Sequence, residues 1–275
     1  MKKIALITGA TDGIGKALAF KLVKESYTVS IIGRNAEKVN ATVAEIKNLY
    51  PNSEIFGIKS DISKLSEVKR ACETFLQNYS NLDVLVLNAN AIANERIITE
   101  DGNEQNFAIG YLSRVLMIER LEKILENTPN SQIISVIVLD TSRIDFRDIS
   151  IEKDFTGRKG LTRWQWAINL YTTHHNQHKK TPMNLFMPGL VKTKILKNEP
   201  PPMRLFVQIM NVIIGLTPEK ASENLFKVMN EINANKIRNA LFSYAKQRKP
   251  LTLATQAGDT EKLLKLTEDL IQKFI

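Results

Sequence analysis

The stretch that decides the fold is Thr8-Gly9-Ala10-Thr11-Asp12-Gly13-Ile14-Gly15, between an apolar run at 3–8 and a helical pattern at 16–25. Glycines at such a turn let the backbone pass close to a pyrophosphate, and the helix amino terminus offers free N–H groups and a positive dipole end. A β-rich run at 28–32 follows at the distance expected of a βαβ unit. The turn therefore predicts a dinucleotide-binding loop, with a purely structural turn as the alternative.

The rest of the chain alternates apolar strands with helical stretches. Further strands are predicted at 54–59, 82–87, 132–139 and 183–187, and helices at 36–49, 66–77, 103–126 and 161–178. Unbroken apolar strands separated by helices are typical of a parallel sheet covered on both faces. We predict an α/β fold with a doubly wound, Rossmann-type parallel sheet in a single domain, residues 1–275.

One apolar stretch, 205–216, needs a separate interpretation. It has about twelve residues, whereas a membrane-spanning helix needs roughly twenty. We therefore predict no membrane span and interpret residues 195–216 as a lid or substrate loop. An amphipathic helix resting on a membrane surface is the alternative.

Composition narrows the class of protein. A hydrophobic content of 43% excludes disorder as the main state, and the single cysteine, Cys72, excludes an internal disulfide. Without a convincing export signal, we predict a cytoplasmic protein. The net charge of +9 lies wholly in residues 138–275, mainly in 179–204 and 236–249. Neither stretch has a nucleic-acid-binding pattern, so we predict no nucleic-acid partner and interpret the charge as a surface facing an acidic small molecule or protein.

The end of the second strand indicates the type of dinucleotide. A carboxylate at this position usually binds the ribose hydroxyls of NAD. This chain instead has Gly33-Arg34-Asn35, and an arginine suits a 2′-phosphate by charge and by bidentate geometry. The sequence therefore favours NADP(H) over NAD(H).

Four more motifs follow the later strands and complete a family pattern. They are Asp61-Ile62, Leu87-Asn88-Ala89-Asn90, Arg143-Ile144-Asp145-Phe146-Arg147-Asp148 and Pro188-Gly189-Leu190-Val191-Lys192-Thr193. With the first turn they resemble the short-chain dehydrogenases/reductases, and more narrowly their retinol dehydrogenase-like branch, over nearly the full length. The resemblance implies an oxidoreductase fold, a nicotinamide cofactor, a small-molecule substrate and a homo-oligomer. It assigns cofactor binding to Thr8, Gly9, Thr11, Asp12, Gly13, Ile14, Gly15, Arg34, Asn35, Asp61, Ile62, Asn88, Ala89, Pro188, Gly189, Val191 and Thr193.

The catalytic residues of the family do not carry over. Its members use a Tyr as proton donor, a Lys four residues later, a Ser and an Asn. The match places Thr162 at the Tyr, Trp166 at the Lys, Ile137 or Val138 at the Ser, and Gly110 at the Asn. An aliphatic hydroxyl is far less acidic than a phenol, and an indole carries no charge. The standard set is therefore predicted to be missing.

A few residues near the expected site are candidates to replace the missing catalytic groups. Asp140, Ser142 and Thr162 are candidate catalytic residues at the expected sheet edge, with a solvated loop as the alternative for 140–143. Trp164 and Trp166 are candidates for a substrate pocket, although core packing is equally expected. Three histidines, His174, His175 and His178, lie near one helix end. The i, i+4 pair His174 and His178 could bind a metal, but no third ligand is in view, so we predict a charged helix end and no metal site.

Three hypotheses remain open. The first is an NADP(H)-binding member without the standard chemistry, which performs a non-standard reaction such as cyclisation or isomerisation. The second is an NADPH-dependent carbonyl reductase or alcohol dehydrogenase with a relocated proton donor, Asp140 being the candidate. The third is a non-catalytic cofactor-binding pseudoenzyme or partner protein.

Overall fold

The computed structural model describes residues 2–91, 93, 95–138, 141–192, 215–249 and 253–275. Its strands are β1 (Ile4–Thr8), β2 (Thr28–Gly33), β3 (Ile55–Lys59), β4 (Val84–Leu87), β5 (Gln132–Val136), β6 (Met183–Met187), β7 (Leu241–Ser243) and β8 (Lys246–Arg248). They form one sheet in the order β3-β2-β1-β4-β5-β6-β7-β8, parallel throughout except that β8 runs antiparallel to β7. The predicted doubly wound α/β fold is confirmed.

Helices cover both faces of this sheet. They are α1 (Gly13–Lys24), α2 (Ala36–Leu49), α3 (Leu65–Asn78), α4 (Gln105–Phe107), α5 (Ser113–Asn127), α6 (Gly157–His178), α7 (Pro218–Asn235) and α8 (Asp259–Ile271). Alternate residues of β1 separate the two layers: Leu6 belongs to the core cluster under α3, α5, α6 and α8, and Ile7 to the cluster under α1, α2 and α7. This alternation follows from the two-residue period of a strand, and burial on both faces explains the continuous apolar runs.

The helix predicted between β4 and β5 is confirmed as a continuous helical stretch over 105–127 with a π-helical turn inside it. The stretch expected as one helix over 103–126 contains α4, a π-helical turn at Ala108–Leu112, and α5. Glu104 begins it by accepting hydrogen bonds from the N–H groups of Asn106 and Phe107 at 2.8 and 3.0 Å. The π-helical turn widens the helix beside Gly110, which is the position matched to the family's Asn.

The carboxyl-terminal quarter of the chain contains elements that the sequence pattern did not predict. These are α7, α8, β7 and β8. The basic side chains of 236–249 are exposed, as predicted, but β7, which lies between them in the sequence, is buried, whereas β8 is exposed. Most of the predicted lid at 195–216 lies outside the described residues. Its last residue, Leu216, forms a bridge with Val191.

No described helix is both long enough and apolar enough to cross a membrane.

Candidate nucleotide-binding and active site

The order of the strands determines where a site can form. From β1 the sheet grows towards β2 and β3 on one side and towards β4, β5 and β6 on the other. The connections after β1 and β4 therefore lead away from each other, and they leave a crevice at the carboxyl ends of these strands. All of the predicted site motifs follow strands at this edge, so the topology brings the motifs of distant sequence positions together.

The Gly-rich turn after β1 fits a closely approaching ligand. Gly9 and Gly13 have φ angles of 66° and 54°, in the left-handed region that glycine adopts without strain. A Cβ atom at Gly15 would lie 2.6 Å from the side-chain nitrogen Nδ2 of Asn88. Asp12 caps α1 by accepting the Gly13 N–H at 2.8 Å, and Ile14 lies in the first helical turn. The turn therefore brings backbone and the amino terminus of α1, a group that favours a pyrophosphate, to the crevice, where the Asp12 carboxylate occupies the first N–H of the helix.

Thr8 and Asn88 join the turn to the end of β4. The Thr8 hydroxyl accepts the backbone N–H groups of Asn88 and Ala89, both at 3.0 Å. The Asn88 side-chain amide donates to the carbonyls of Thr8 and Gly9, both at 3.1 Å. A Cβ atom at Gly9 would lie only 2.8 Å from the Ala89 Cα, so the two loops are in direct backbone contact.

The residues predicted to select the dinucleotide lie at the end of β2. Arg34 is exposed and directly follows β2, and Asn35 caps α2 by accepting the Lys38 N–H at 2.8 Å. A Cβ atom at Gly33 would lie 2.5 Å from the Thr11 methyl group, so Gly33 lets the two connections approach. An exposed guanidinium suits a phosphate group by charge and by bidentate geometry, and the predicted role of Arg34 stays a prediction.

Asp61 and Ile62 begin the connection after β3. Asp61 is half-buried, and its carboxylate accepts the Ser63 N–H and hydroxyl at 3.1 and 2.8 Å. Ile62 is buried beside the carboxyl edge. The connection after β3 therefore begins with an ordered carboxylate, that of Asp61, next to the buried apolar side chain of Ile62.

The motif after β6 is shaped by another turn. Gly189 has a φ angle of 79°, and the ring of Tyr244 packs against it. Pro188 and Val191 are buried, and the Lys192 N–H donates to the Leu216 carbonyl at 2.9 Å. Thr193, the last residue of the predicted cofactor set, lies outside the described residues.

Three of the four positions matched to the family's catalytic set are engaged in packing or hydrogen bonds within the chain. Gly110 packs directly under the indole ring of Trp164. The Val138 N–H donates to the side-chain oxygen of Gln165 at 2.6 Å, and Ile137 is buried. The indole N–H of Trp166 donates to the Ala254 carbonyl at 2.9 Å. None of these side chains ionises near neutral pH.

Two of the three candidate replacements lie together. The hydroxyls of Ser142 and Thr162 are 2.6 Å apart, and the Ser142 N–H donates to the Thr162 carbonyl at 3.2 Å. Within the described parts of the chain, neither hydroxyl is hydrogen-bonded to a carboxylate or an imidazole, which would be needed to activate it. Asp140 lies outside the described residues, so its contribution stays a prediction.

Trp164 and Trp166, predicted to line a substrate pocket, are both fully buried in the core cluster. Trp164 packs between Gly110 and Arg114, and Trp166 contacts Phe146 edge-on with ring centroids 6.3 Å apart. This is the environment of core residues, and a pocket role for them stays a prediction.

Arg143 has a partner within the chain. Its guanidinium donates to both carboxylate oxygens of Asp259, at 2.7 and 2.6 Å, in the first turn of α8. Asp259 is almost fully buried, and its pKa is lowered chiefly by the hydrogen bond from Arg143. The Arg143 charge is thereby balanced by a partner within the chain.

Sequence reasoning missed one residue of this region altogether. Arg114 lies on α5, is 2% exposed, and places its guanidinium between the ends of β4 and β5. The available signal was a lone arginine in the apolar stretch Leu112-Ser113-Arg114-Val115-Leu116-Met117. Charged residues are almost never fully buried without a special partner.

The sheet order, the crevice beside β1 and β4 and the Gly-rich turn are those of the doubly wound α/β class. Residues 3–143 match the family model described as short chain dehydrogenase. The chain belongs to this family.

Individual relatives agree with this assignment. The chain is 27% identical over 199 residues to Retinol dehydrogenase 13 of Mus musculus, a match that covers 70% of this chain and 60% of that relative's length. An alcohol dehydrogenase from the archaeon Thermococcus sibiricus, complexed with 5-hydroxy-NADP, superposes with a TM-score of 0.68 at 19% identity, covering 92% of this chain and 99% of the other. A short chain dehydrogenase from Burkholderia cenocepacia J2315 in complex with NADP gives 0.68 at 18% identity, over 88% and 95%. At these identities the two structures establish likeness of fold.

Proposed function

We propose that the chain binds NADP(H) at the carboxyl edge of its sheet and lacks the standard acid/base chemistry of its family. It is then an atypical enzyme that acts on a small apolar or acidic molecule by a non-standard reaction, such as cyclisation or isomerisation. The observation that carries the proposal is the contrast across one crevice. Where the nucleotide is expected to bind, the Thr8–Asn88 hydrogen bonds hold the two loops together. At the positions matched to the family's catalytic residues, Trp164 packs on Gly110 and Trp166 donates a hydrogen bond to Ala254.

The cofactor part of the proposal depends on the first turn and on Arg34. The left-handed glycines and the amino terminus of α1 suit a pyrophosphate, and Arg34 suits a 2′-phosphate. The Thermococcus and Burkholderia structures, which share the fold, are complexes with NADP or a derivative of it. Bound NADP(H) would supply hydride exchange at its nicotinamide, or a rigid wall for the substrate.

The catalytic part depends on proton transfer. A hydride that reaches a carbonyl carbon leaves negative charge on oxygen, so the reaction needs a donor of matched pKa and an electrostatic stabiliser. Thr162 offers only an aliphatic hydroxyl, which is bound to Ser142, and Trp166 offers no charge. Proton donation at the normal family rate is therefore not expected of these positions.

Two measurements test the proposal together. NADPH binding is measured by calorimetry and by quenching of the two tryptophans, and NADPH oxidation is followed across a panel of aldehydes and ketones. We expect saturable NADPH binding that is tighter than NADH binding, without steady-state NADPH oxidation. Oxidation at rates normal for the family contradicts the catalytic part, and no binding up to millimolar NADPH contradicts the cofactor part and leaves a non-catalytic partner protein.

A second candidate function is an NADPH-dependent carbonyl reductase with a relocated donor. It is favoured by the Ser142–Thr162 hydroxyl pair at the position matched to the family's Tyr, in which Ser142 lies two residues after Asp140 in the sequence. If this candidate is right, the panel yields a reducible carbonyl, and Asp140→Asn or Thr162→Val abolishes the turnover. Thr173→Val, an exposed change on the same helix, is the matched control. Unchanged turnover in Asp140→Asn and Thr162→Val removes both residues as donors.

A further inference from the structure

Arg114 carries a buried charge at the edge of the proposed cofactor crevice. Its Nη1 donates to the Val136 carbonyl at 2.9 Å and to the Ser135 hydroxyl, and its Nη2 donates to the Ala89 carbonyl at 3.0 Å. The ring of Trp164 lies 4.7 Å from the guanidinium carbon. One side chain from α5 therefore connects the loop after β4 with the last residues of β5.

The charge of Arg114 has no counter-ion within the described parts of the chain. Burial alone lowers its pKa to about 9, so the guanidinium is still protonated at neutral pH. Its acceptors are neutral, and its Nε has no described partner. A buried unpaired cation is costly compared with an apolar residue of similar volume. Packing alone does not account for an arginine here, whereas a need for three directed hydrogen bonds does.

The acceptor Ala89 is the point of contact between the two cofactor loops. The Ala89 N–H donates to the Thr8 hydroxyl. The Ala89 Cα lies so close to Gly9 that a Cβ atom on residue 9 would not fit between them. Arg114 holds the carbonyl end of the same residue. The Ala89 backbone is thus fixed from both ends, from β1 on one side and from α5 on the other.

We propose that Arg114 is a positioning residue for the dinucleotide: by holding the Ala89 carbonyl it keeps the loop at Asn88 and Ala89 in contact with the Gly-rich turn. This inference rests on the proposed binding of NADP(H). It assigns no contact between Arg114 and the cofactor, because the guanidinium is buried beneath the loop that forms the wall of the crevice.

The first test uses the protein without cofactor. Amide hydrogen exchange is compared in wild type, Arg114→Lys and Arg114→Met. Because the N–H groups of Asn88 and Ala89 are held by Thr8, they report directly on the loop. We expect both amides to exchange at least about tenfold faster in Arg114→Met, less in Arg114→Lys, and the amides of β1 to keep their wild-type rates. Unchanged exchange at Asn88 and Ala89, or the same acceleration throughout the sheet, overturns the proposal.

The second test measures NADPH affinity by calorimetry. We expect Arg114→Met to raise the Kd at least about tenfold and Arg114→Lys to recover part of the loss, because an ammonium keeps the charge without the planar fork. Arg120→Met is the matched control: Arg120 lies on the same helix but pairs with Glu73, away from the crevice. A folded Arg114→Met protein with wild-type NADPH affinity overturns the proposal.

The outcomes separate the two proposals. Failure of wild type to bind NADPH contradicts the proposed function, whereas wild-type binding with an unaffected Arg114→Met contradicts the role of Arg114. If Arg114→Met does not fold, Arg114→Lys and Ser135→Ala, which removes one acceptor of the guanidinium, take its place in both tests.

Discussion

Thr8 and Asn88, 80 residues apart in the sequence, hold each other by reciprocal hydrogen bonds. The Thr8 hydroxyl accepts the Asn88 backbone N–H at 3.0 Å, and the Asn88 side-chain amide donates to the Thr8 carbonyl at 3.1 Å. The contact joins the carboxyl ends of β1 and β4, where the sheet changes direction. The contact fixes the loop after β4 against the Gly-rich turn. The two loops thereby form the crevice at the strand ends in which a dinucleotide binds in this class of fold.

Replacing the Thr8 hydroxyl by a methyl group is expected to weaken this contact. Thr8→Val leaves the N–H groups of Asn88 and Ala89 without their acceptor. A fully buried unsatisfied donor costs about 1–3 kcal/mol, and because these two N–H groups are only half-buried, their combined cost is about that of one such donor. We expect the free energy of unfolding in urea to fall by this amount and NADPH binding to weaken. Thr8→Ser, which keeps the hydroxyl, is the control and should retain most of both. Equal stability of Thr8→Val and wild type would contradict the assigned role.

Arg34 is expected to distinguish the two dinucleotides. Arg34→Ala removes the exposed cation after β2, and a charge-assisted hydrogen bond contributes about 1.5–3 kcal/mol. The Kd for NADPH should therefore rise by roughly tenfold or more, whereas the Kd for NADH should stay the same. Lys47→Ala, at the far end of α2, removes an exposed charge from the same element and serves as control. An equal loss for both dinucleotides would show that Arg34 does not bind the 2′-phosphate.

The contact between Gly110 and Trp164 predicts an overpacked variant. A Cβ atom at residue 110 would overlap the indole ring, and overpacking a core costs about 1–3 kcal/mol. We expect Gly110→Ala to lower the free energy of unfolding despite the better helix propensity of alanine. Trp164→Leu should relieve the overlap, so a double-mutant cycle should show a favourable coupling between the two changes. Additive effects would mean that the indole does not restrict residue 110.

His175 predicts loss of stability in acid. It is buried, one ring nitrogen bonds the Thr181 carbonyl at 2.9 Å, and burial is the main cause that lowers its pKa below 6.5. The unfolded chain therefore takes up a proton at a higher pH than the folded chain does. Stability from this group is complete above pH 6.5 and is lost as the pH falls through 6.5 towards the folded-state pKa.

The measurement for His175 is the free energy of unfolding at pH 7.5 and at pH 5. We expect wild type to lose more stability over this interval than His175→Gln, in which no imidazole takes up a proton. His178→Gln, at an exposed position on the same helix, is the matched control and should behave as wild type. Equal losses in wild type and His175→Gln would show that another group controls the acid transition.

Local patterns in the sequence were enough for much of the fold. The helix predicted at 36–49 is α2 with the same bounds, because Asn35 supplies an amino-terminal cap and Pro51 follows its end. The strand predicted at 183–187 is β6. In contrast, β7 has three residues, which is too short for a periodic pattern, and it depends on pairing with β6.

The candidate site likewise contains some features that the local sequence predicts and others that it does not. The Gly-rich turn was predictable because left-handed backbone and close approach need glycine at particular positions, and this requirement is local. The pairing of Ser142 with Thr162 and of Arg143 with Asp259 was not, because each joins residues from separate elements. The same holds for Arg114, whose burial is a property of the packed helix and sheet.

By itself the sequence determined the class of fold, the Gly-rich turn and the substitutions at the four positions that the resemblance matches to the family's catalytic set, since each depends on residue type at a fixed spacing. Tertiary structure alone decided what those substitutions do. It placed Trp164 on Gly110, bound Trp166 to Ala254 and directed Arg114 at Ala89. The reason is physical: hydrogen bonds and packing between distant elements depend on how the helices lie on the sheet, and no local pattern specifies that arrangement.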